Sequence, residues 1–133
     1  MKLGYRYSIF QEKPMVVLKG TFILKKEQSS EIKEKIREYN RRRQQKQPLT
    51  YPSAGSVFKR PTGYYAGKLI QDAGLKGFRV GDAQVSELHC GFIINVGNAT
   101  AQDVLRLMDH ITHTVKEKFQ VELSPEIRVV GEK

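Results

Sequence analysis

Hydrophobic positions fall along the chain in two different rhythms. From Thr100 to Phe119 they recur at helical spacing: Val104, Leu107, Met108, Ile111, Val115 and Phe119 line one face of an α-helix. Thr100 is placed to cap that helix, with Asp103 three residues on. A shorter version runs through Ala66, Leu69, Ile70 and Ala73, and Gly74 follows as a terminator. A third helix is predicted from Ser29 and Ser30, which can cap it, to about Lys46, with Ile32, Ile36 and Tyr39 on one face. Elsewhere apolar residues bunch in short β-branched and aromatic runs. "MVVLKGTFILKK" (15–26), "FRVGDAQVSE" (78–87, turning at Gly81-Asp82) and "CGFIINV" (90–96) read as strands. "VELSPEIRVVG" (121–131) reads as extended segments broken at Pro125, and Pro48 and Pro52 bracket an extended linker. Strands and helices mix without regular βαβ alternation, so the predicted class is α+β.

Composition narrows this. At 133 residues and 39% hydrophobic, the chain suits one ordinary domain with a real core rather than a disordered segment. With 23 Lys and Arg against 14 Asp and Glu it carries a formal charge of +9, which attracts an anionic partner of some kind: nucleic acid, a phosphorylated small molecule or an acidic protein. The run "RRRQQK" (41–46) invites the nucleic-acid reading. Against it, Glu31, Glu34 and Glu38 interleave with Lys33, Lys35 and Arg37 so as to pair along a solvated helix, and aromatic residues are not interspersed with the cations. Nucleic acid is therefore not expected as a partner. Cys90 is the single cysteine, so no internal disulfide forms; no apolar run reaches membrane-spanning length, and a cytoplasmic location is expected.

Candidate chemistry centres on "YPSAGSVFKRP" (51–61). Small residues permit a sharp bend and close approach, Ser56 offers a hydroxyl there, and Lys59 and Arg60 follow as cations. Ser56 is not in a G-x-S-x-G elbow, because Phe58 stands where the second glycine belongs, and none of His89, His110 or His113 is tied to it by sequence as a triad base. The glycines are wrongly spaced for a P-loop or a dinucleotide fingerprint. His110 and His113 sit at i, i+3 but lack a further ligand at matching spacing, so no metal site is expected. His89 and Cys90, adjacent in a strand, would point to opposite faces, which leaves Cys90 as a small core residue. Glu126, between Pro125 and Ile127, is an acidic residue in an apolar stretch. Burial raises a carboxyl pKa, and a protonated carboxyl is a hydrogen-bond donor to developing negative charge.

Taken together, "YPSAGSVFKRP", "AGKLIQDAGLKGFRVG", "AQVSELHCGFIIN", "NATAQDVLRLM" and "VELSPEIRVVG", with "GYRYSIF" and "KQPL", resemble the UDP-N-acetylenolpyruvoylglucosamine reductase (UDP-N-acetylmuramate dehydrogenase) family, in its compact form. That family makes a peptidoglycan precursor in the cytoplasm. It moves a hydride from NADPH through FAD to the enolpyruvyl ether of UDP-N-acetylglucosamine. The resemblance implies that Ser56 is the general acid and that Glu126 stabilises the enolic intermediate, with Tyr5 and Lys46 contacting the UDP portion and Lys59 and Arg60 favouring its diphosphate and carboxylate. It implies three regions: residues 1–47 from the end of the FAD-binding domain, 48–122 the substrate-binding domain, and 123–133 a terminal strand returning to the flavin region. The flavin-binding N-terminal part of the family, with its glycine- and serine-rich loops and an arginine that stabilises the intermediate, has no counterpart here, so weak or no FAD binding by this chain alone is expected, with that part as its partner. Asp82, where the family has a second glycine, is expected to alter its turn.

Overall fold

The computed structural model describes residues 1–131, and the last two residues of the expected closing strand, Glu132 and Lys133, lie outside the described residues. The chain divides into two compact units, Met1–Glu34 and Lys35 onward.

In the first unit, Gly4 and Tyr7 form an isolated antiparallel bridge, followed by one 3-10 turn, Ile9–Gln11. Tyr7 donates its hydroxyl to Glu12 at 2.5 Å. The strand expected over 15–26 does not form. That stretch has no regular secondary structure and is exposed, with Leu18 and Ile23 at 93% and 100% exposure. β-branched residues suit a pleated surface, but a strand exists only once a neighbour takes up its amides and carbonyls.

Helix α1 (Ser29–Lys46) ends where expected and carries the boundary between the units, but Ser29 and Ser30 lie in its first turn rather than capping it, the Ile32 amide donating back to the Gln28 carbonyl at 3.1 Å. Its apolar face is not buried: Ile32, Ile36 and Tyr39 are 40%, 52% and 63% exposed. Glu38 bridges Arg41 and Arg42 at 2.7 and 2.6 Å, and those two guanidinium groups hold its carboxyl below the usual range.

The second unit is built on a four-stranded sheet in the order β1-β4-β3-β2, formed by β1 (Ser53–Ser56), β2 (Arg79–Val80), β3 (Ala83–Val85) and β4 (Phe92–Asn95), every pair antiparallel. Helices α2 (Ala66–Asp72) and α3 (Ala101–Phe119) complete it. Strand alternation sends Ala83, Val85 and Ile93 to one face, where they join Ile70, Leu107, Ile111 and Val115 of the helices in the core. Thr100 caps α3 in a reciprocal box, its hydroxyl accepting from the Asp103 amide at 3.1 Å while the Asp103 carboxylate accepts from the Thr100 amide at 2.9 Å. The opposite face presents Gln84, Phe92 and Ile94, beside the Pro48–Tyr51 segment.

Asp82 makes its turn a junction. Its carboxylate accepts from Arg79 and from the Asn98 amide, both at 2.7 Å, tying the β2–β3 turn to the loop ahead of α3. A side chain on Gly97 would run into that carboxylate.

His89 and Cys90 lie in the turn before β4, not in a strand. Buried Ser86 tightens that turn, its hydroxyl accepting from the amides of Leu88 and His89 at 3.2 and 3.3 Å. Cys90 is in the core as expected.

Candidate active site

The segment around Ser56 is a strand, which "SAGS" gave little reason to expect. β1 occupies the sheet edge, and its ladder to β4 is irregular: Ser53 faces Ile94 while Ser56 faces Phe92, so β1 uses one residue more than its partner. This is a β-bulge, and Gly55 makes it possible at φ +86°, a left-handed conformation closed to most side chains. Ser56 emerges exposed directly after the bulge, while Val57 and Phe58 turn into the core.

Beyond Ser56 the chain changes partner. The Val57 amide donates to the carbonyl of Gly91 at 2.9 Å, the last bond toward β4. The Glu126 amide then donates to the Val57 carbonyl at 2.7 Å, and the Lys59 amide to the Ser124 carbonyl at 2.8 Å, around an isolated bridge of Phe58 with Pro125. Ser56 and Glu126, distant in sequence, thus lie on adjoining backbones. Glu126 is half-buried rather than buried.

Of the cations, Arg60 turns back on its own loop, stacking over the Tyr65 ring at 3.9 Å and donating to the Tyr64 carbonyl at 3.3 Å. Lys59 is exposed next to the Ser124 bond, and Lys46 is exposed in the last turn of α1. Tyr5 belongs to the first unit, where it is exposed with the Arg6 guanidinium 5.6 Å from its ring centre.

Two clefts open beside the Pro48–Tyr51 segment, the first of them lined by β1. One, of about 420 Å³, is lined by Arg43, Gln47, Tyr51, Ser53, Gly55 and Phe92 among others. The second, of about 330 Å³, lies over the open sheet face between Tyr51, Gln84 and Leu88. Neither is lined by Ser56 or Glu126, and both are assembled from segments distant in sequence, with no local motif to announce them. His110 stacks on Phe78 with ring centroids 4.4 Å apart, and His113 Nδ1 lies 2.8 Å from the Asp109 carbonyl oxygen. Among the described residues no three His, Cys, Asp or Glu side chains gather as a metal site. No helix among them is long and apolar enough to cross a membrane.

Residues 47–130 match the family described as UDP-N-acetylenolpyruvoylglucosamine reductase, C-terminal domain. The chain belongs to that family. Similar relatives carry the same reductase name. The protein of Caldanaerobacter subterraneus subsp. tengcongensis is 63% identical over 133 residues, which is all of this chain and 44% of the relative. That of Lachnoclostridium phytofermentans is 59% identical over all of this chain and 43% of the relative. The crystal structure of the reductase from Thermus caldophilus superposes with a TM-score of 0.60 at 42% identity, covering 74% of this chain and 35% of that one. The chain therefore spans less than half the length of the curated reductases it matches.

Proposed function

We propose that this chain carries the substrate-binding and proton-donating part of a flavin-dependent NADPH reductase that converts UDP-N-acetylglucosamine enolpyruvate to UDP-N-acetylmuramate in peptidoglycan synthesis. The observation that supports it most directly is the backbone bond from Glu126 to Val57, which brings the two residues expected to do chemistry to one edge of the sheet. Reduction adds a hydride to the terminal enolpyruvyl carbon and a proton to the carbon bearing the carboxylate. Ser56 Oγ–H gives that proton from its exposed position after the bulge and regains one from water. Glu126, by family likeness, is the residue that stabilises the enolate that precedes protonation. Lys59 and Lys46 supply positive charge for the diphosphate, and Arg60 does so from its seat on Tyr65. On this reading the three regions 1–47, 48–122 and 123–133 correspond to the end of the flavin domain, the substrate domain and the segment that returns to the flavin region, of which residues 123–131 form only the isolated bridge of Pro125 with Phe58 and no strand.

The described residues do not fit an FAD site. Residues 11–30 are exposed throughout, and neither cleft gathers the glycine-rich run of amides that a dinucleotide diphosphate needs. This chain's share is accordingly to bind the substrate and deliver the proton. The same observation favours a second reading, a UDP-sugar-binding module without turnover.

Calorimetric titration of the chain with UDP-N-acetylglucosamine enolpyruvate, followed by substrate-dependent NADPH oxidation with FAD and the N-terminal part of a relative added as a separate chain, tests both. Binding with turnover that Ser56→Ala abolishes supports the reductase reading. Binding without turnover supports the module, and absence of both overturns the two together.

A further inference from the structure

His89 has no part in the chemistry above, yet its ring is seated with care. Its Nδ1 accepts the Gly91 amide at 3.0 Å, which requires the proton of the neutral ring to be on Nε2. Two glycines make room for it. A Cβ on Gly91 would lie 2.9 Å from His89 Cε1, and one on Gly67, in the first turn of α2, would lie 3.2 Å from the same atom and 3.1 Å from the Gly91 nitrogen. The ring also meets Phe92 edge-on at a centroid distance of 5.1 Å.

Both neighbours lead to Ser56. Phe92 is its partner across the ladder, and the Gly91 carbonyl accepts the Val57 amide at 2.9 Å, so it holds the peptide plane joining Ser56 to Val57. We infer that His89 is a positioning residue for Ser56: its ring accepts the Gly91 amide, its backbone carbonyl accepts the Phe92 amide at 3.0 Å, and together they fix the two peptides flanking Gly91, whose carbonyl holds the Ser56–Val57 peptide at the bulge. On the near side of Ser56 the bulge rests on Gly55, at φ +86° with nothing within 4 Å of where a Cβ would be. On the far side, the Gly91 carbonyl gives the Ser56 backbone a fixed point. The relevance to catalysis rests on Ser56 being the proton donor, whereas the geometric linkage does not.

The test separates the acceptor from the ring. His89→Asn keeps an acceptor that can bond the amide two residues on, as in an Asx turn, and drops the ring. His89→Phe keeps a ring against Gly67 and Phe92 and drops the acceptor. Amide hydrogen exchange and the Ser56 resonances are read by NMR on the 133-residue chain. The expected result is loss of protection at Gly91 and Val57 by about tenfold or more in His89→Phe, with displaced Ser56 signals, and near-native values in His89→Asn. Native values in His89→Phe, or perturbed ones in His89→Asn alone, would overturn the inference and leave the ring as packing. In the reconstituted assay His89→Phe should lower kcat by about ten- to a hundredfold with KM little changed, restored by His89→Asn. If Ser56→Ala leaves turnover intact, the donor reading falls while the exchange data still decide the His89 linkage.

Discussion

The Glu126 amide donates to the Val57 carbonyl at 2.7 Å, one residue past Ser56. That single bond makes neighbours of a residue on the sheet edge and one near the end of the chain. Because it runs between backbones, either side chain can be changed without breaking it.

Ser56→Ala and Glu126→Gln should therefore leave thermal stability and substrate binding nearly unchanged. Turnover in the reconstituted reductase should fall by about two to four orders of magnitude for Ser56 and two to three for Glu126, the range for removing a general acid and an oxyanion donor. Steady-state NADPH oxidation beside calorimetric binding checks this. A loss of binding equal to the loss of rate would assign both residues to substrate holding.

Gly55→Ala tests the bulge. The position has φ +86° and open space around a would-be Cβ, so the cost is backbone strain without a clash. We expect a loss of about 1–2 kcal/mol, read as a lower urea midpoint with an unchanged slope. An unaltered midpoint would mean that the bulge relaxes to a regular ladder.

The α3 cap has a pH signature. The Thr100 amide and hydroxyl hold the Asp103 carboxyl below its ordinary value. A depressed carboxyl contributes stability above its unfolded pKa, near 3.9, and loses it as pH falls through the folded value. Asp103→Asn should thus be less stable than the parent at pH 7 and converge with it in acid, once the pH has fallen through the folded value. Thr100→Ala should cost about 0.5–2 kcal/mol at neutral pH. Urea melts at neutral and acid pH measure both, and a gap that persists in acid would remove the charge from the cap.

Burial pushes the Cys90 thiol up, against a smaller opposing pull from Lys76. The raised value favours the protonated thiol in the folded chain, so its contribution to stability is present below the unfolded pKa and lost as pH rises through the folded one. An aromatic disulfide reagent at pH 8 should modify native Cys90 at least about tenfold more slowly than the urea-unfolded chain, because access requires local opening. Equal rates would place the thiol at the surface.

Legibility in the sequence followed the physics of each element. Helix α3 was readable because one stripe and one cap coincide, and its interior residues are the buried ones. β1 was not: "SAGS" has no branched or aromatic residue, and its strand character comes entirely from β4 alongside it. The reverse holds at 15–26, where composition favours a strand that finds no partner. The apolar face of α1 was visible as a pattern, but pattern alone does not supply a surface to cover it. Ser56 and Glu126 were singled out mainly by family likeness, since nothing local announces that residues so far apart will share a ladder. The acceptor role of His89 depends on which ring nitrogen meets an amide, a matter of ångströms that no spacing rule encodes.

The change of partner at Val57 also bears on the order of events as the chain folds. β1 and β4 are already distant in sequence, and the segment around Glu126 must then return past α3 to reach a strand that exists only after β1 has joined the sheet. Closing that longest loop gains few bonds, so it is expected late in assembly and first to come away on warming. Polypeptide emerging from the ribosome would hold Ser56 on the sheet edge before the segment carrying Glu126 docks beside it.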